Sequence, residues 1–146
     1  MEAYMGTWGA DLFGSDTALD ILDAISSTPP ENRVEFIYRI FESAIDQANS
    51  VTPTIVPEEV IAAASIVAAN LPGGETVSWG EEAEGISRWL PKPVPVAVAA
   101  SALDALNASL PTDGWWWRSW QNASDRAQMQ DALDRVRSLL ATISRS

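Results

Sequence analysis

Histidine and cysteine are both absent from this chain of 146 residues, and lysine occurs once, as Lys92. The first absence excludes an imidazole base, and the second excludes thiol nucleophiles and disulfides; together they exclude the ordinary zinc sites. The glycine-rich motifs that cradle nucleotide phosphates are missing as well. Any enzymatic chemistry would therefore depend on carboxylates, and no organic cofactor is expected.

Long apolar runs are also missing. The longest uncharged run, residues 60–74, is shorter than the roughly 20 residues that span a bilayer, and it contains Pro72 and two glycines. The opening "MEAYMGTWG" has neither the basic cluster nor the apolar centre of a signal peptide. Because a chain without cysteine also fits a reducing compartment, we expect a cytoplasmic protein that does not associate with membranes.

The net charge of −11 is distributed unevenly along the chain. Residues 1–90 contain 15 acidic residues and three arginines, whereas residues 91–146 contain five acidic and six basic residues. Nucleic-acid binding requires clustered lysine and arginine, so this balance argues against it. An acidic surface suits solubility or a basic protein partner.

Helical periodicity recurs along the sequence, and no useful β-alternation is found. With 47% apolar residues, one domain of this length can bury a substantial core. We predict an all-α compact bundle of five to six helices with Ala-rich central helices, formed by a single domain over residues 5–146, with residues 1–4 as an extension. The predicted helices cover 16–25, 28–48, 58–70, 81–90, 96–110 and 125–143, with a further turn at 113–121.

Helix ends and faces follow from local patterns. Ser15 or Asp16 is predicted to cap the first helix, and "TPPE" at 28–31 has the pattern of a capping box before the second. The third and fifth helices are expected to be the most buried. Each of the others has one apolar stripe, such as Ala18, Ile21, Leu22 and Ile25 in the first helix and Met129, Leu133, Val136, Leu140 and Ile143 in the last.

Tryptophan is abundant, and "DGWWWRSWQN" holds four of the seven indoles. On a helical turn, Trp116 and Trp120 share a face and Trp117 lies about sixty degrees from Trp120. We expect these three to fill volume between Ala-rich helices. Trp115 is the least able to join them and is a candidate for contact with a partner.

Two groups of carboxylates are candidate functional sites. Asp16, Asp20 and Asp23 lie on the outward face of the first helix, near Asp11 in sequence. Trp79, Glu81 and Glu82 lie in a glycine-bounded segment that also contains Glu75 and Glu84. Each group has two readings, a solvated acidic face or a site for a basic partner or a divalent cation.

The stretch "MGTWGADLFGSDTALDILDAI" resembles a family of small bacterial proteins known as domain of unknown function forty-two fifty-nine. The matching residues are Met5, Gly6, Trp8, Gly9, Phe13, Asp16 and Ala18. Asp11 stands where the family usually has glycine. The resemblance implies a compact helical bacterial protein with no established activity, and Met5 as the usual start. Some small acidic proteins of this kind are immunity proteins, which is an analogy only.

The sequence thus favours a non-enzymatic acidic helical protein that binds another protein as an immunity-like or regulatory partner. The candidate contact residues are Asp16, Asp20, Asp23, Trp79, Glu81, Glu82 and Trp115, and no metal ligand or catalytic residue is assigned. Two alternatives stay open: a carboxylate-based hydrolase that depends on a divalent metal, and a self-associating structural domain. We also expect Trp8 and Phe13 to pack onto the bundle and hold the N-terminal loop in place.

Overall fold

The computed structural model describes residues 12–13, 15–47, 55–74, 79, 85–110, 115–118 and 123–144, with the side chains of all of these except Trp115 and Ser144. All regular secondary structure in these ranges is helical and none of it is strand, which confirms the all-α class. The α-helices are α1 (Asp16–Ser26), α2 (Arg33–Asp46), α3 (Pro57–Ala69), α4 (Val96–Ser109), α5 (Trp115–Arg118) and α6 (Ala123–Ser144); 3₁₀ turns cover Pro30–Asn32 and Ile86–Arg88.

Hydrogen bonds at the helix ends join α1 to α2 and α2 to α3. The Arg33 guanidinium at the start of α2 donates to the Ser26 carbonyl at the end of α1 (3.1 Å). At the other end of α2, the Gln47 side chain bonds both the carbonyl and the N–H of Ile55, just before α3, at 2.6 and 3.0 Å. Each short connection therefore holds the end of one helix close to the start of the next.

The segments before and after α4 contact opposite ends of α3. Leu90, six residues before α4, bonds Asn70 at the end of α3, whereas Trp116, beyond α4, bonds Glu58 at the start of α3. α4 thus runs antiparallel to α3. It packs against α2, α3 and α6, and α1 packs mainly on α3.

Helix α3 lies at the centre of the bundle, as its uniformly apolar sequence predicts. Every residue from Val60 to Ala69 is buried, including Ser65, whose hydroxyl donates to the Ile61 carbonyl at 2.7 Å. The prediction for α4 is only half right, because residues such as Val96 and Asp104 face solvent. Its buried stripe consists mostly of small residues, which allow close helix contacts: Val98, Ala99, Ala102, Ala105 and Leu106.

The amphipathic helices bury the predicted stripes. All four predicted residues of α1 are buried, as are Met129, Leu133, Val136 and Leu140 of α6, while Ile143 is half-buried. In α2, the sequence predicts a stripe of Val34, Ile37, Phe41, Ala44 and Ala48. Ile37, Phe41 and Ala44 are buried and Val34 is partly buried, while Ala48 lies outside the described residues. The 3.6-residue periodicity therefore identified the inward faces from sequence.

The capping-box prediction at "TPPE" is wrong. Pro30–Asn32 forms a 3₁₀ turn, α2 begins at Arg33, and no side chain caps either element. The Thr28 hydroxyl instead donates to the Ala24 carbonyl at 2.8 Å. Thr28 thus caps the carboxyl end of α1, because the last carbonyls of a helix have no N–H partner within that helix.

Candidate functional site

The candidate acidic face is positioned by the start of α1. Ser15 has an extended backbone (φ −87°, ψ 155°), and its hydroxyl accepts the N–H of Ala18 at 3.0 Å. Of the two N-cap residues that the sequence predicts, Ser15 or Asp16, the structure has Ser15. Because it fixes the first residue of α1, it also sets Asp16 in the first turn, where the helix dipole favours a carboxylate.

The face itself consists of Asp16, Asp20 and Asp23, and all three side chains are exposed. Their spacing of four and then three residues places them on one side of α1, over about 10 Å at 1.5 Å per residue. The opposite side of the helix carries its buried stripe. We call this set of three aspartates the α1 acidic face.

None of these carboxylates has a cationic partner within the part of the chain that the structure describes. The ion pairs recorded there join Arg39 to Glu35 at 3.2 Å and Arg137 to Asp134 at 3.9 Å. The first of these is the pair that the i,i+4 spacing on α2 predicts. Among the residues that the structure describes, therefore, no ion pair neutralises the α1 acidic face.

Phe13 holds the segment before α1 onto the bundle. Its side chain is fully buried within the hydrophobic core, and the neighbouring Leu12 packs against that core. The prediction for Phe13 is confirmed. Trp8, Met5 and the residues around them lie outside the described residues, as does Asp11.

The second candidate group is described at Trp79. This side chain is half-buried, and its indole N–H donates to the Gly74 carbonyl at 2.9 Å. A Cβ at Gly74 would overlap the carbonyl oxygens of Ala68 and Ala69, so this turn lies tight against the end of α3. Trp79 has an anchoring contact there, while part of its surface stays accessible. Glu81 and Glu82 lie outside the described residues, together with Glu75 and Glu84.

Two of the three tryptophans that are predicted to pack inward are described, and both are buried. Trp116 and Trp117 in α5 are 5% and 4% exposed, with ring centroids 4.7 Å apart in an edge-to-face arrangement. The indole N–H of Trp116 donates to a carboxylate oxygen of Glu58 at 3.0 Å, and the Arg126 guanidinium lies 5.7 Å from the Trp117 ring centroid. α5 thus joins the starts of α3 and α6. Trp115 lies in α5, but its side chain and all of Trp120 lie outside what is described.

Two polar cross-links were not predicted from the sequence. Buried Asn70 donates to the carbonyls of Ile66 and Ile86 at 2.8 and 2.7 Å and accepts the N–H of Leu90 at 3.1 Å. Arg33 donates to three carbonyls and stacks on Trp89, with 5.5 Å from guanidinium carbon to ring centroid. Their partners lie up to 56 residues away, so no local pattern could have identified them.

Metal ligation and membrane insertion are two further possible roles of the described ranges. No group of three or more acidic residues in them is arranged to hold a metal ion. No helix in them is both long and apolar enough to cross a bilayer.

A family of known proteins matches most of this chain. The family model described as "Domain of unknown function (DUF4259)" matches residues 6–132 of this chain. No curated protein and no solved structure matches it. The match covers most of the chain, including α1 to α4 and the α1 acidic face. The chain therefore belongs to the DUF4259 family, as the "MGTWG" motif indicated.

Proposed function

We propose that this protein is a non-enzymatic binding protein whose α1 acidic face docks a basic surface of another protein. The observation that carries the proposal is the exposure of Asp16, Asp20 and Asp23 on one side of a helix, without a cation beside them in the described ranges. An immunity-like or regulatory role in the cytoplasm is the setting that we propose for it.

The charge of the α1 acidic face should affect the association rate more than the affinity. Three carboxylates within about 10 Å create a negative potential that attracts a cationic surface before contact. Such steering raises association rates and weakens when salt shortens the Debye length, from about 10 Å at 0.1 M to 3 Å at 1 M. The net charge of −11 adds to this negative potential.

The chemistry of the face supports a protein partner over the other classes. Nucleic-acid phosphates would be repelled by carboxylates, and the chain offers them few cations. A protein surface with lysine or arginine at helical spacing would match carboxylates separated by four and three residues. Trp79, Glu81, Glu82 and Trp115 are proposed as further contact residues, since tryptophan is enriched in protein interfaces and charged groups occupy their polar rim.

The test compares two variants with the same change in charge. The face variant carries Asp16→Asn, Asp20→Asn and Asp23→Asn. The control variant carries Glu42→Gln, Asp104→Asn and Asp131→Asn, which change three exposed acids on other helices. A partner captured by cross-linking to the wild type is then purified, and its association rate is measured with each variant from 0.05 to 1 M salt.

We expect the face variant to associate about tenfold more slowly at low salt, and the control variant to stay within about twofold of the wild type. The difference should vanish at 1 M salt because screening removes the field of the carboxylates. Equal slowing by both variants would show that net charge acts alone. Association unaffected by either variant or by salt would contradict the proposal.

A further inference from the structure

We draw no further inference here: the strongest candidate, the exposed run of Pro91, Pro93, Pro95 and Val96 where the chain enters α4, carries nothing because nothing in the structure shows what covers it.

Discussion

Helices α1 and α3 show how differently two helices of one bundle use their sequences. α3 has apolar or small residues on all sides, and the ten residues from Val60 to Ala69 are all buried. α1 buries four residues on one side and exposes Asp16, Asp20 and Asp23 on the other. Packing therefore constrains nearly every position of α3 but leaves the outward positions of α1 free for a surface function.

The two helices also differ in how their ends are fixed. α1 begins at a local cap, in which Ser15 bonds the N–H three residues later. α3 ends at Asn70, whose amide holds Ile86 and Leu90, 16 and 20 residues further along the chain. Loss of the Ser15 cap should therefore loosen only the start of α1. Loss of the Asn70 bonds should instead separate the end of α3 from residues 86–90.

The largest effect is expected in the centre of α3. Replacing Ile66 by Ala removes a fully buried side chain from a helix that is packed on all sides, so the surroundings cannot easily collapse. We expect a loss of about 4 kcal/mol in the free energy of unfolding, measured by urea denaturation. The matched variant Ile66→Val should lose about 1 kcal/mol. Similar values for the two variants would show that the bundle relaxes around this site.

The second prediction concerns the end of α3. Asn70→Ala removes the partners of a buried N–H at Leu90 and of a carbonyl at Ile86. We expect a loss of about 3 kcal/mol, because buried polar groups left unpaired cost about 1–3 kcal/mol each. Hydrogen exchange at Leu90 should also become faster.

Ser65→Ala is the control for this variant, since Ser65 is equally buried on the same helix but bonds a carbonyl of its own helix. The Ile61 carbonyl keeps its helical partner, so the change should stay below about 1 kcal/mol. If Asn70→Ala and Ser65→Ala lose the same amount, the cross-link to residues 86–90 contributes no net stability.

The contrast between α1 and α3 also shows which structural features can be predicted from the sequence. The Ser15 cap, the buried stripe of α1 and the central place of α3 were predicted because they depend on residues close in sequence or on uniform composition. The capping box predicted at "TPPE" is wrong because a threonine between two helices can bond either the end of the first helix or the start of the second. A local pattern does not decide which end it serves, since that depends on where α1 stops.

Contacts between residues far apart in sequence could not be predicted. Trp116 and Trp117 were expected to pack inward on the basis of size, but Glu58 as the partner of Trp116 lies 58 residues away in the chain. Asn70 was predicted merely as the end of a helix, and its three bonds depend on where residues 86–90 fold back. For the α1 acidic face, sequence predicted the exposure of the aspartates, because exposure follows from the helical phase.

A third and smaller effect is expected at the cap of α1. Ser15→Ala removes the acceptor for the N–H of Ala18, and we expect a loss of about 1 kcal/mol. Ser15→Asn keeps a capping oxygen and should recover most of the stability. Ser43→Ala, at an exposed position in α2, is the matched control and should change the free energy of unfolding by less than about 0.5 kcal/mol. A loss as large in Ser43→Ala as in Ser15→Ala would contradict the capping role.

The smallest effect is expected from the α1 acidic face, where the comparison with α3 is sharpest. Replacing its three aspartates with Asn removes repulsion between neighbours four and three residues apart, a gain of a few tenths of a kcal/mol per pair. It also removes the favourable interaction of Asp16 with the helix dipole, a loss of about 0.3–1 kcal/mol. These effects oppose each other, so we expect the free energy of unfolding to change by less than about 0.5 kcal/mol, with a smaller difference at 1 M salt. A loss above about 1 kcal/mol would show that one of these carboxylates stabilises the fold. The α1 acidic face would then stabilise the fold, as the buried residues of α3 do, and its charges would not be free to bind a partner.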